Sequence, residues 1–482
     1  MKLFSCLIIL VFSLTSEVSA ADKVTMDWFL SKVRSTHPLF KKEALSPKIS
    51  RVAQESSLGD EDWIIRSNPH YSYSKFAKTG GFNPNSIDET NIGASLERSI
   101  WKTGGTLSLS YDYKRTDQEA SDVSFGTVTI PGDSGIFHEN SINLSYSHPL
   151  VRNRAGSLSR LEYELGGYDV RADDITSIED EENFLLQVGE MFLDWVDLTE
   201  QRIISMRRLD LARSELKRTE KKRQKNLVDR VDVIRSQDAV LGAEQVLLQV
   251  EASMKGVQAE LASIAQLQEF EGLEPHYDLY SLVELPSIES ATARLHETSR
   301  ILNSLKVRLD QLERRKQGFV ESAKPQVDMN VSGGITGGDE DFSNSHDYNK
   351  PRYAAGLTFS YPLGNRRAKA DITRTSLEKR FIGEELRSNR LALESALKNI
   401  MTHIRELEKV LAVDERRIRK AREKTEAELE RYNQGRTELT FVIQSRDGEQ
   451  NAQLIHARNA AVYHKLILRY RALMDELLQI DS

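Results

Sequence analysis

Two passages of this 482-residue chain share one unusual order: a strand-like alternation, then Pro-Leu, then a long helical pattern. In Tyr353–Ala368 (YAAGLTFSYPLGNRRA), Ala355, Leu357, Phe359 and Tyr361 point to one side of a strand, and Gly356, Thr358 and Ser360 to the other. Period two with a small, polar second face predicts a strand that is apolar on one side and wet on the other. Pro362 removes a backbone donor and ends the pairing before the basic pair Arg366 and Arg367. Ser141–Ala155 (SINLSYSHPLVRNRA) repeats the device with Leu144, Tyr146, Pro149-Leu150 and Arg154-Ala155.

Around these passages the chain alternates strands and helices. Residues 24–56 read as a helix interrupted at His37-Pro38. Strand patterns follow at Asn68–Phe76, Ile92–Ile100 and Thr106–Lys114, the last with Leu107, Leu109, Tyr111 and Tyr113 on one face. The turn Trp101–Gly105 is short, whereas the connections at 78–90 and 116–138 are long and polar. Transmembrane barrel strands are connected in this way, although a soluble β-sandwich alternates equally well. From Gly156 to Gln224 the pattern is helical, which at ~1.5 Å per residue is about 100 Å. The basic run from Lys217 to Lys225 suits a solvated helix C-terminus, with a partner patch as the alternative.

After a break at Asn226–Arg230, Val240, Ala243, Leu247, Val250, Met254, Val257, Leu261 and Ile264 keep a sustained heptad spacing. That period predicts a supercoiled partner. A linker (269–287) leads to a helix over 288–322, a strand over Gln326–Ile335, and the second Pro-Leu passage. The helix beyond it carries Leu393, Leu397, Ile400, Ile404, Leu407 and Leu411, breaks around Tyr432–Arg436, and returns. The returning helix has two stripes, one of Leu454, Ala461 and Leu468 and one of Ile455, Val462, Leu466 and Leu473. The second half thus repeats the first, and both returning helices carry Val-Ile-x-Ser-x-Asp, at Val233–Asp238 and Val442–Asp447.

Lys2, the apolar run Leu7–Phe12 and Val18-Ser19-Ala20 predict an export signal cleaved between Ala20 and Ala21. The only cysteine, Cys6, falls before the apolar run, so the exported chain has no disulfide and must hold itself by packing or association. No later run is long and apolar enough for a transmembrane helix, so a membrane crossing would have to be a β-barrel. The 66 basic and 73 acidic residues are intermixed, without the basic surplus of a nucleic-acid binder. Nucleophile motifs, phosphate loops and metal spacings do not occur, which predicts a non-enzyme without cofactor, and His456 and His464 are two turns apart.

The ordered set of the export signal, the His37-Pro38 helix, LTFSYPLGNRRAKAD, VDVIRSQDAVLGAE and YNQGRTELTFVIQSRD resembles the TolC-like outer membrane efflux proteins, from Val24 to Leu478. The resemblance implies a mixed α/β membrane protein. Three copies would form an outer-membrane β-barrel continued by a long periplasmic α-helical tunnel, with two structural repeats per chain. It divides the chain into a signal (1–20), an N-terminal periplasmic helix (21–67), first strands (68–150), first tunnel helices (151–268), a linker (269–287), a lead-in helix (288–325), second strands (326–363) and second tunnel helices (364–482).

The resemblance implies an exit duct, for small molecules or proteins, serving a periplasmic adaptor and an inner-membrane pump of the RND or ABC type. Outer-membrane lipid would surround it, and nucleic acid is not expected. The helical tips at Asp229, Arg230, Gly435 and Arg436 would dock the adaptor. Two departures from the family pattern matter. The first half holds four strand patterns where the family usually has two, so each chain would contribute four or six strands. Where the family often places acidic rings at the periplasmic mouth, this chain has Phe441 and Gln444 and keeps Asp232; these three are the candidate constriction. The rival reading is a periplasmic coiled-coil scaffold that never inserts into a membrane.

Overall fold

The computed structural model describes residues 23–77, 84–120, 122–132, 134–268, 270 and 272–478. The predicted cleavage point at Ala20 and Ala21 lies outside the described residues.

The chain begins with β1 (Lys23–Val24) and three short helices, α1 (Met26–Thr36), α2 (Pro38–Glu43) and α3 (Ser46–Ser56). The interruption at His37 has a local cause. Pro38 disfavours helical backbone at His37, which is extended (φ −71°, ψ 133°), and the His37 ring then accepts from Leu39 N at 3.3 Å to start α2. Strands β2 (Ile64–Ser67), β3 (His70–Lys75), β4 (Pro84–Ile100) and β5 (Gly105–Ala120) follow. A small hairpin, β6 (Val123–Phe125) and β7 (Val128–Ile130), precedes β8 (Gly135–Pro149). The helices α4 (Leu161–Gln224) and α5 (Arg230–Ala265) lead to β9 (Glu274–Pro275), which pairs in parallel with β1. Next come α6 (Ile288–Thr298), α7 (Arg300–Ser322), β10 (Gln326–Asp339) and β11 (Lys350–Ser360), then α8 (Arg366–Asn433) and α9 (Leu439–Leu473).

The long strands form one antiparallel sheet in the order β11-β10-β8-β5-β4, with β2 and β3 both on the outer side of β4. The hairpin β4–β5 is therefore an interior part of this sheet. One row across it reads Ile65, Leu96, Leu109, Leu144, Gly333, Tyr353; the next row, on the opposite face, reads Arg66, Ser95, Ser110, Asn143, Gly334, Arg352. Alternation along each strand thus sums to an apolar face and a polar face. On the polar face Lys114 pairs with Glu89 at 3.0 Å and Arg66 with Glu97 at 3.6 Å.

Two compact units divide the chain. One unit holds this sheet with α3 and the adjoining parts of α4, α7 and α8 (Leu45–Thr176 and Asn303–Ser388). The passage out of β8 is tight here. Gly156 has φ +69°, and a Cβ on it would stand 1.6 Å from Trp101 O, in the β4–β5 turn. Asn153, also left-handed (φ 61°), accepts from Leu158 N at 2.8 Å and Ser159 N at 3.1 Å, capping the turn that leads into α4. After β11, Asn365 (φ 46°) takes the corresponding position and donates to Ala323 O at 2.7 Å.

The other unit comprises the described residues of Met1–Ala44, Ser177–Leu302 and Asn389–Ser482. Its core is built on Phe29, Phe192, Trp195, Leu261, Met401 and Tyr463, all buried, with the Trp195 and Phe270 rings 4.9 Å apart. The two heptad seams supply much of the rest: Leu261 on α5, and Leu397, Ile404 and Leu411 on α8, are buried. Of the stripe through Val462, Leu466 and Leu473 pack against this core while Val462 itself is exposed, and Ala457, Ala460, Tyr463 and His464 are buried beside it. No described helix is long and apolar enough to cross a membrane.

Three expectations need correction. The helix expected over 288–322 is broken at Ser299, whose backbone leaves the helical region (φ −54°, ψ 120°) between α6 and α7. The polar connection at 116–138 is shorter than its composition suggests, since β5 runs to Ala120 and β8 begins at Gly135. Likewise β4 already begins at Pro84, so only 78–83 of the connection at 78–90 falls outside the described residues.

Candidate functional site

The tips of the two helical hairpins, α4–α5 and α8–α9, are built alike. α4 ends on Asn226 (φ 57°), with Leu227 N donating back to Lys222 O at 2.9 Å. α8 ends on Gly435 (φ 69°), with Arg436 N donating to Arg431 O at 2.9 Å. Both are Schellman closures, in which a residue tolerant of left-handed backbone lets the chain satisfy its last carbonyls and turn back. Nearly two turns into each returning helix a serine is buried against the other arm. Ser236 Oγ donates to Thr219 Oγ1 at 3.2 Å, and Thr425 Oγ1 donates to Ser445 O at 3.1 Å. The Val-Ile-x-Ser-x-Asp signature therefore places a small side chain against the facing arm.

The tips line a common cavity of about 830 Å³ that includes Asn226, Asp229, Asp232, Tyr432, Gly435 and Glu438. Arg235 spans it, 3.4 Å from Asp232 and 3.9 Å from Glu438. The Lys222 ammonium lies 3.9 Å over the Tyr432 ring. Burial, reinforced by Arg218, pushes the Lys222 pKa down. Next to the cavity is a groove of about 490 Å³ between α5 and α9, lined by Arg208, Asp238, Ile443, Gln444 and Asp447 among others.

Of the docking candidates, Asp229 and Gly435 line the tip cavity, while Arg230 and Arg436 are exposed and outside its lining. Of the constriction candidates, Asp232 is in the tip cavity, Gln444 is in the groove, and Phe441, half-exposed, lines neither. Asp232 also has a local task. Its carboxylate accepts from Asp229 N at 3.4 Å while the Asp229 side chain caps the start of α5, a reciprocal capping box.

Sequence reasoning missed the arginine that faces this groove. Arg208, on α4, is buried and donates to Asp447 Oδ1 through Nε at 3.0 Å and Nη2 at 2.7 Å. The residue just before Asp447 on α9, Arg446, donates to Glu215 at 3.3 Å. The signal was Asp447 itself, the acid closing the repeated signature, which invites a search for a cation on another helix.

A second charged cluster closes the α6–α7 break. Arg300 donates to Glu179 at 3.2 Å, contacts Glu182, and is 3.3 Å from Asp475, whose other oxygen accepts from Arg300 N at 2.8 Å. Burial raises the pKa of Glu179 and of Asp475 against the opposing pull of the guanidinium. The three carboxylates are grouped closely enough to hold a metal ion, but the guanidinium already stands among them.

No family model and no curated protein matches the chain. Solved structures do match, over nearly the whole length. CusC, described with its transmembrane channel formation, aligns at TM-score 0.69 and 9% identity, covering 96% of this chain and 95% of its own. The outer membrane protein VceC of Vibrio cholerae aligns at TM-score 0.66 and 11% identity, covering 93% and 96%. The MtrE outer membrane channel of Neisseria gonorrhoeae, in its open state, aligns at TM-score 0.65 and 12% identity, covering 93% and 88%. Such identities speak for the architecture, and the coverage shows that it extends to the whole chain rather than to one of its helical hairpins. The chain has the fold of the TolC-like outer-membrane channels.

Proposed function

We propose that this protein is the outer-membrane exit duct of a tripartite efflux or type I secretion system in a Gram-negative cell. The reading rests chiefly on one observation: the sheet with an apolar and a polar face is joined through Pro-Leu turns to long paired helices, and the whole aligns with outer-membrane channels. An apolar face against lipid and a polar face toward a lumen is the arrangement a transmembrane barrel needs. On this reading the chain is a duplicated unit, three copies assemble, and the helices continue the duct into the periplasm. The tips at Asp229, Arg230, Gly435 and Arg436 receive an adaptor, which links the duct to an inner-membrane pump. Phe441, Gln444 and Asp232 narrow the periplasmic mouth. Transport here needs no chemistry on the cargo, so no catalytic group is assigned.

Fractionation of the expressing cell tests the reading. Heat-modifiable trimers in the outer-membrane fraction are expected, and a wholly soluble protein would leave the periplasmic scaffold as the better account. For the mouth, conductance in planar bilayers should rise in Phe441→Ala. Unchanged conductance and ion selectivity would remove Phe441 from the constriction.

A further inference from the structure

Among the described residues the sheet has two free edges, and their geometry fits one to the other. β2 and β3 share one register on β4: Ile64 opposes Glu97, Ser67 opposes Ala94, and His70 opposes Asn91. They are a single strand interrupted at Asn68-Pro69, so each chain brings six long strands, bounded by β2–β3 and β11. Every residue of β11 is exposed, with Tyr353 at 85%, Leu357 at 71% and Phe359 at 70%.

The backbone tells which residues bond outward. Asn68 N donates to Gly93 O at 3.2 Å, so in β2–β3 the even-numbered residues face β4 and the odd-numbered ones face the free edge. Leu150 N donates to Val327 O at 2.8 Å, so the odd-numbered residues of β10 face β8 and its even-numbered ones face β11. Gln326 opposes Ser360, which leaves the odd-numbered residues of β11 facing outward. Those outward sets, Ile65, Tyr71 and Tyr73 on one edge and Tyr353, Leu357 and Phe359 on the other, also carry the apolar face. Pro69 and Pro351 occupy outward positions too, where a missing N–H takes no bond from the chain's own ladder. Inside a bilayer the other outward groups would each cost several kcal/mol unless paired.

We propose that β11 of one copy pairs with β2–β3 of the next, antiparallel, with Thr358 opposite Arg66, and that three copies close an eighteen-stranded barrel. This rests on the outer-membrane trimer of the proposed function and adds its strand count and seam. The register sets Ser360 opposite Ile64, which aligns both strand ends, and matches apolar face to apolar face (Phe359 beside Ile65, Tyr353 beside Tyr71). It also yields a barrel that closes. A row drawn from Ile64 straight across the sheet passes Glu97, Ser108, Ser145 and Ser332 to reach Ala354, six residues short of Ser360. Six residues of stagger at ~3.3 Å over six strands at ~4.8 Å make a tilt of about 35°, at the angle where barrels form. Eighteen such strands enclose a backbone circle about 34 Å across; twelve would enclose about 22 Å. The outer opening is thus wider than a twelve-stranded barrel allows.

The test uses full-length protein in outer membranes, in a Cys6→Ser background, so that introduced thiols are the only ones. Arg66→Cys with Thr358→Cys should link into a ladder ending at a covalent trimer under mild oxidation. Arg66→Cys with Ser360→Cys, two residues out of register, should link at least tenfold more slowly; if it links faster, the register is wrong. Ser110→Cys with Thr358→Cys tests the alternative in which β4 and its edge partner lie outside the barrel; linking there and not at Arg66 overturns the strand count while leaving the duct standing. Absence of the protein from the outer membrane overturns both. Should either cysteine pair disturb assembly, the unsubstituted protein viewed end-on by electron microscopy decides: a ring about 34 Å wide supports the proposal and one about 22 Å wide refutes it.

Discussion

The two halves of the chain solve the same problems with different chemistry, most visibly where a strand passes into a helix. After β8 the passage is locked: Gly156 is pressed against Trp101 O, Gly104 against Asn153 O, and Asn153 caps the turn. After β11 it is open, for a Cβ on Gly364 would meet nothing nearer than Arg366 Cγ at 4.0 Å. The lead-in breaks differ as well. The α1–α2 break is aromatic, with the His37 ring stacked on Phe184 at 4.5 Å, and the α6–α7 break is ionic, with Arg300 among three carboxylates. Both breaks lie against α4. What the two passages share is a left-handed residue after the strand, at Asn153 and Asn365, while the side-chain contacts around them differ.

The largest effect expected from this contrast is at the locked passage. Gly156→Val should destabilise the sheet unit by about 5 kcal/mol or more, because it combines positive φ with a collision against backbone. Gly364→Val should cost about 1–3 kcal/mol, from backbone strain alone. Thermal unfolding of the two purified variants in detergent makes the comparison, and equal losses would erase the distinction.

At the ionic break, Arg300→Gln should cost about 3–5 kcal/mol by leaving buried carboxylates without their cation. Its pH dependence has a definite sign. Glu179 and Asp475 hold protons more tightly folded than unfolded, so the stability they contribute is greatest in acid and is lost as pH rises through their raised pKa values. Removing the guanidinium raises those values further. The melting temperature of the variant should therefore climb between about pH 8 and about pH 5 by more than that of the parent. His37→Ala, at the aromatic break, should lose about 1 kcal/mol of ring contact.

The smallest effect distinguishes the hairpin tips. Asp229 caps α5 in a reciprocal box, whereas Glu438, in the corresponding place before α9, makes no side-chain cap bond. Asp229→Ala should cost about 1 kcal/mol and Glu438→Ala less than about 0.5 kcal/mol, read from denaturant midpoints.

Much of this architecture was legible in the sequence because its signals are periodic and local. Alternation marked Thr106–Lys114 and Tyr353–Tyr361, heptads marked α5 and α8, and Pro38, Gly435 and the Pro-Leu pairs marked the breaks. The signals failed where tertiary contact decides. At Ser299 the only local device is its hydroxyl, which accepts from Leu302 N at 3.4 Å to cap α7; the docking of Arg300 beside Glu179, Glu182 and Asp475 joins residues far apart in sequence. The start of β4 was hidden because Asp88, Glu89 and Thr90 alternate no apolar side chain, although Lys114 answers Glu89 across the sheet. At the tips, the left-handed turns could be anticipated from Asn226 and Gly435. The cavity and groove could not, since they depend on how two hairpins lie side by side.

The order of strands in the sheet has a kinetic consequence. β4 and β5 are joined by a short turn, and β10 and β11 by a modest loop, so each pair can form soon after its own residues are available. The junction of β8 with β10 is different in kind, because everything from Leu150 to Pro325, including α4 through α7, intervenes. Its loop-closure entropy is met only when those helices have condensed. Until then β8 and β10 are both bare edges, open to mispairing with any other nascent strand. The sheet of this protein is thus completed late, and the helices act as the timer.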